Sequence, residues 1–279
     1  MDAASHPLDG PRGKLVRAVQ QASLLEAHSE AYAAANPRRF TSRFEKGAHY
    51  AYVEGRLPPL YLGLILGEVI HDLRSALDQL AWQVALSEVG EEVLADPRIG
   101  NVITFPISSS PERFASHRAR QYFADSAIEL MESRQPYQNA GIRLVNPLGI
   151  VQNWSNADKH RVLTPSLGQI AMDDITFASD ATIDIKDVEM LVPDSSVIDP
   201  AAPLLRIPAP EAARIEFAPT PVKVCFLTYV TGEAEILFSD RVRKLCEHIS
   251  ECVNEYEPLF PSVDWSARTE SWITPDLGA

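Results

Sequence analysis

One helix-period apolar stripe constrains this chain more than any other feature. Leu66, Val69, Ile70, Leu73, Leu77, Leu80 and Val84 return to one side at ~100° per residue, which predicts a helix over residues 60–87 closed by Gly90. Such a stripe has to be covered by other elements. The longest apolar stretch, Pro58 to Gly67, is cut by Glu68 and falls short of the ~20 residues that span a bilayer. The helix is therefore expected inside a folded body.

Candidates to cover it lie on both sides. Lys14 to Asn36 reads as a second helix, with Leu15, Ala18, Val19, Ala22, Leu25 and Tyr32 near a 3.6 period and Pro37 at its end. Phe40, Phe44, Tyr50, Tyr52 and Val53 mark a change to strand formers, and one β-strand is expected over His49–Val53. Short helices are expected over Pro111–His117, with Ser110 as N-cap, and over Ser126–Ser133. Gln135-Pro136-Tyr137 reads as a turn, and part of Ile142–Trp154 as helix despite Pro147.

The character changes after Arg161. Ile175–Ile185 approaches strand alternation and Val188–Val192 continues it. Pro193–Pro221 holds 7 of the 21 prolines and reads largely as an irregular excursion. Arg214–Phe217, Val222–Thr231 and Glu233–Phe238 read as strands, the last two joined by a turn at Thr231-Gly232-Glu233. Asp240–Tyr256 reads as a final helix capped by Ser239, and the tail from Pro258, with Trp265 and Trp272, is expected to pack over the body. This order predicts an α+β fold: a helical bundle with a segregated antiparallel β-sheet and a C-terminal helix. A mainly helical part, residues 1–168, and a β-rich part, residues 169–279, are expected to pack as one unit. The early strand near Tyr50 needs later strands as partners.

Composition narrows the function classes. The 279 residues are 46% apolar and 23% charged, ordinary values for a chain that folds without covalent staples. Cys225, Cys246 and Cys252 form no C-x-x-C pair and read as core thiols rather than a disulfide framework or zinc site. Residues 1–7 lack the basic and apolar regions of a secretory signal, so a cytoplasmic location is expected. The net charge of −13 opposes phosphate backbones, and neither non-specific nucleic acid nor a membrane is expected as a partner. Dinucleotide, P-loop and nucleophile-elbow motifs are all missing, and no cofactor is implied.

Two polar clusters could carry chemistry. On the central helix Glu68, His71, Asp72, Ser75, Asp78, Gln79 and Trp82 share one sector, with Arg74 at its edge. This could be a plain solvent face, but it contains no Lys and a single Glu, and Trp82 and Gly67 point to something covering it. The second cluster is Asn153-Trp154-Ser155-Asn156-Ala157-Asp158-Lys159-His160-Arg161. Here His160 could serve as general base with Asp158 or Asp78 orienting it, or the segment could be a capping and turn network. His71, Arg74, Asp78, Asp158 and His160 are the candidate catalytic residues. Glu68, Asp72, Gln79, Trp82, Asn156, Lys159 and Arg161 are the candidate ligand-binding residues. Glu68 and His71 form a Glu-x-x-His pair that His160 could join at a metal, but the second such pair a di-iron bundle requires is missing.

Residues 67–82, Phe105-Pro106-Ile107, Gln135-Pro136-Tyr137 and Asn156-Ala157-Asp158-Lys159-His160-Arg161 together resemble an uncharacterised family of bacterial proteins, common in actinobacteria. That resemblance implies no assigned activity. The helical part is more loosely similar to HEPN-type domains, many of which are metal-independent ribonucleases. Their signature is an Arg and a later His on one helix, four to six residues between them. Arg74 fits the first position, while Gln79, Leu80 and Ala81 stand where the His belongs. The likeness implies a role in RNA cleavage or defence with a degenerate motif. The residues also admit a small-molecule enzyme with a His/Arg/Asp pocket, or a non-catalytic binding or assembly protein, with an unidentified ligand or a homodimer as partner. The two clusters are expected to converge, with Arg74 paired to a carboxylate such as Asp78 or Asp158.

Overall fold

Nothing interrupts the predicted central helix. Helix α2 (Tyr61–Val89) has 29 residues and ends at Gly90, whose φ of 79° lies in the left-handed region that favours glycine. The computed structural model describes residues 6–54, 56–139, 146–159, 163–167, 175–191, 202–219, 223–230 and 233–260. In it Leu62, Leu66, Val69, Ile70, Leu73, Ala76, Leu77, Leu80 and Ala81 of α2 are inaccessible to solvent. Helix α1 (Asp9–Ala35) starts earlier than its apolar period predicts, because Pro11 falls in the first turn, where its missing N–H costs nothing. It runs antiparallel to α2: Lys14 and Arg17 reach Asp72, and His28 reaches Tyr61.

The strand expected over His49–Val53 is the second arm of a hairpin. β1 (Arg39–Glu45) pairs antiparallel with β2 (Ala48–Glu54), from Arg39 opposite Glu54 to Glu45 opposite Ala48. The two loop residues, Lys46 and Gly47, have φ of 50° and 79°, as a hairpin turn matched to strand twist requires. Lys-Gly is a weak signal for such a turn, so β1 is not visible from composition.

Short helices follow: α3 (Glu91–Leu94), α4 (Pro97–Gly100), α5 (Pro111–Ala115) and α6 (Asp125–Ser133). The Ser110 hydroxyl accepts a hydrogen bond from Arg113 N, the expected cap. Helix α7 (Pro147–Asp158) begins at Pro147 rather than continuing through it, with Asn146 as N-cap accepting from Gly149 N at 3.1 Å.

The remaining strands are β3 (Thr164–Leu167), β4 (Phe177–Ser179), β5 (Glu189–Met190), β6 (Leu205–Ile207), β7 (Ile215–Phe217), β8 (Val224–Val230) and β9 (Glu233–Phe238). Helix α8 (Val242–Asn254) follows a 3-10 turn over Ser239–Arg241, so Ser239 opens that turn instead of capping the helix. Among the described residues the sheets are β1-β2-β6-β5, β3-β8-β9 and β4-β7, every pairing antiparallel. The fold is α+β. Strand β6 falls inside the proline-rich stretch read as irregular, and it is the partner that β2 needed. Ile175–Ile185 forms a strand only over β4, ending in a 3-10 turn at Ile185–Asp187. The tail with Trp265 and Trp272 lies outside the described residues.

Among the described residues two apolar cores result. The larger joins α1, α2, α7 and α8 with Val224, Phe226 and Leu237 of β8 and β9. The smaller holds Phe40, Ala51, Val53, Leu204, Leu205, Ile207 and Ala209, with Phe177 and Phe217 packed against it. Residues from both sides of position 168 enter each core. No helix among the described residues is long and apolar enough to cross a membrane.

Candidate functional site

The polar sector of α2 is divided among three neighbours. Glu68 and Asp72 turn to α1. Asp72 is buried between Lys14 Nζ at 2.9 Å and Arg17 Nε at 3.1 Å, and Glu68 lies 3.9 Å from Arg17. Gln79 follows the same side and touches the α1 backbone at Gly10, where a Cβ would lie 2.9 Å from its Oε1. His71 is exposed, with its Nε2 3.4 Å from the Ser75 hydroxyl. Trp82 is half-buried on Gly100.

Arg74 and Asp78 form the third group. Arg74 donates from Nε and Nη2 to the two oxygens of Asp78 at 3.0 and 2.7 Å, a bidentate pair one helical turn apart. It also donates to Gln152 Oε1 on α7 at 2.9 Å and to the Phe105 carbonyl at 3.1 Å. Asp78 in turn accepts from Phe105 N at 3.0 Å. The Arg74–carboxylate pairing expected from sequence is thus made with Asp78.

The Phe105-Pro106-Ile107 segment is also held from its other end. Buried Gln135 donates to the Pro106 carbonyl at 2.8 Å and to Met131 O at 2.9 Å, and accepts from Ser108 N at 2.7 Å. Two tripeptides that look unremarkable in sequence are therefore one clamp on an extended strand-like segment. The side-chain amide satisfies backbone groups that have no sheet partner there.

Helices α2 and α7 meet closely, which brings the two predicted clusters together along their described parts. A Cβ at Gly67 would lie 2.6 Å from Oδ1 of Asp158, the last residue of α7, and one at Gly63 would lie 1.8 Å from the carbonyl oxygen of Leu163, just before β3. At Gly63, where the obstacle is backbone, only glycine permits this approach. Burial against α2 raises the pKa of Asp158, with the neighbouring His71 partly opposing the shift. Asn156 and Lys159 are exposed. His160 and Arg161 lie outside the described residues.

Sequence reasoning missed His117, which lies two residues beyond α5 at the start of a 3-10 turn over Arg118–Tyr122. Burial lowers its pKa below the ordinary imidazole value, Arg74 lowers it further and Asp78 partly restores it. Its Nδ1 is buried without a hydrogen-bond partner among the described residues. No periodicity or motif could have joined His117 to a helix forty-odd residues earlier. Among the described residues no group of three or more His, Cys, Asp or Glu is placed to hold a metal ion. No family model matches the chain, and no curated protein or solved structure is similar to it.

Proposed function

We propose that this chain is a non-catalytic binding or assembly protein whose contact surface is the outer face of the α1–α2 pair. The observation that carries the reading is a run of exposed large apolar side chains there. Leu57, Leu60 and Leu64 are 65%, 63% and 57% exposed, and Leu24 and Tyr61 are 43% and 42% exposed. Together they present on the order of 500 Å² of mostly apolar surface, within the ~300–600 Å² range where a monomer's largest patch is often functional. The commitment of the polar groups supports it as well. Arg74 and Asp72 are both paired within the chain, which makes them parts of the scaffold. A photo-crosslinking residue placed at position 60 or 64 in cells should capture a macromolecule, while one at Gln138, exposed elsewhere, should not. No adduct at either position removes the reading.

A second reading, an enzyme cleaving RNA or acting on a small molecule, is favoured by His117 beside Arg74 and Asp78. An imidazole kept neutral near pH 7 next to a guanidinium is equipped for general base work. Shifts of the His117 ring resonances on adding a ribonucleoside monophosphate would support it. Unmoved resonances at millimolar ligand would count against it.

A further inference from the structure

We propose that a small α-amino acid, held as its zwitterion, binds in a cavity between α1, the start of β8 and the 3-10 turn before α8. The cavity measures about 120 Å³, and Glu26, Ser29, Glu30 and Ala33 of α1 line it together with Lys223 and Asp240. Residues 26, 29, 30 and 33 follow the i, i+3, i+4, i+7 pattern, so they share one face of α1. Lys14, Arg17 and His28, which reach α2, stand on another. Ser29 is the first pointer to a ligand. It is 3% exposed, and its Oγ has no hydrogen-bond partner. A helical serine can return its hydroxyl to the carbonyl four residues back, as Ser23 does to Val19 at 3.0 Å and Ser250 to Cys246 at 2.8 Å. Ser29 does not, which leaves its hydroxyl for the cavity it lines. A buried hydroxyl without a partner costs free energy that a bound polar group recovers.

Charges of both signs are also left open around it. Glu26 is taken up by Arg243, whose Nε and Nη2 donate to one of its oxygens at 3.2 and 2.5 Å. Glu30, Asp240 and Lys223 line the same small space, yet among the described residues none of them makes an ion pair. A metal ion does not suit them: Lys223 repels it, and among the described residues no group of three or more His, Cys, Asp or Glu is placed to hold one. An ammonium group does. Its three N–H bonds match three acceptors, Glu30, Asp240 and the Ser29 hydroxyl. Lys223 then calls for an anion on the same ligand, and a carboxylate supplies it. Size sets the rest. A cavity of ~150 Å³ takes benzene, so this one takes about five or six heavy atoms, the size of glycine or alanine.

Amide NMR of the full chain, titrated with glycine and with alanine at millimolar concentrations, tests this. Saturable shifts of the Ser29, Val224 and Asp240 resonances are expected. Methylammonium and acetate each carry half of the zwitterion, and glycine betaine has no N–H to donate. All three should bind at least about tenfold more weakly than glycine. Glu30→Gln and Lys223→Gln should each weaken glycine binding by about tenfold. Both residues are exposed, and an unchanged melting temperature shows that the variants fold. Ser29→Ala should weaken glycine binding as well, while its melting temperature stays the same or rises because an unsatisfied hydroxyl is gone. No saturable shift with either amino acid overturns the proposal. So does methylammonium binding as tightly as glycine, which marks a simple cation site, and so does glycine binding that survives both charge variants. None of these outcomes bears on crosslinking at positions 60 and 64, so failure here leaves the assembly reading as it stands.

Discussion

Arg74, a catalytic candidate in the sequence, is tied into the scaffold by its own hydrogen bonds. Its guanidinium makes four hydrogen bonds that tie α2 to α7 and to the Phe105 segment. Arg74→Ala leaves Asp78 without its cation and should cost about 2–3 kcal/mol, the range for hydrogen bonds to charged groups in a partly buried site. Thermal melts should then fall by about 5–8 °C. Arg74→Lys should recover less than half of that, because an ammonium cannot serve Asp78, Gln152 and Phe105 at once. An unchanged melting temperature in Arg74→Ala would refute the structural role. His117 gives a pH signature. Its folded pKa lies below the unfolded value of ~6.5, so its neutral form contributes stability that is present above pH ~6.5 and lost as pH falls through the folded pKa. His117→Gln should flatten the stability profile below pH ~6.5, and a slope identical to wild type would show that another group is responsible. Tyr256 is simpler: its hydroxyl is buried without a partner among the described residues, and burial pushes its pKa well up. Tyr256→Phe should leave the melting temperature unchanged or raise it, since an unsatisfied hydroxyl is removed.

At the scale of elements, the packing on α2 depends on what sits above two glycines, one under the chain leading into β3 and one under the end of α7. Over Gly63 it is backbone, the Leu163 carbonyl, which cannot move aside. Over Gly67 it is the carboxylate of Asp158, which can. Gly63→Ala should therefore push the Leu163–Pro165 segment off α2 and destabilise severely. Gly67→Ala should cost much less, and in an Asp158→Ala background it should be neutral or stabilising by up to ~1 kcal/mol from helix propensity. Additive effects in that double-mutant cycle would show that Asp158 is not the obstacle. These contacts also mark where sequence reading stops. The long helices are legible because a 3.6 period needs only local information, and a glycine after the last apolar residue ends α2. The sector containing Glu68, Arg74 and Asp78 is legible too, but not its division, because a wheel does not reveal which neighbour lies at which angle. The hairpin turn at Lys46-Gly47 and strand β6 are obscured by untypical local chemistry. The clamp on the Phe105 segment is invisible in principle: Gln135 reaches Pro106 and Ser108, and Gln152 reaches Arg74, only after the chain has folded back, and no spacing rule encodes that.

Taken together, the described residues form one large core and one small one, and their stabilities need not be equal. The small core rests on a few side chains, and β5 contributes only Glu189–Met190 to its sheet. Native-state hydrogen exchange should find β5 and β6 opening at lower free energy than α2. Ile207→Ala, at a fully buried site, should lower the sheet's protection by about 2–5 kcal/mol and leave α2 nearly untouched. Equal loss in both regions would mean a single cooperative unit. The same sheet has a consequence for how the chain is made. His49, Tyr50 and Ala51 pair with Ile207, Arg206 and Leu205, so about 150 residues separate the two strands. At a translation rate of ~5–20 residues per second, the open side of β2 leaves the ribosome roughly 8–30 s before its partner exists. During that interval the nascent hairpin offers an unpaired edge to any other strand or to a chaperone.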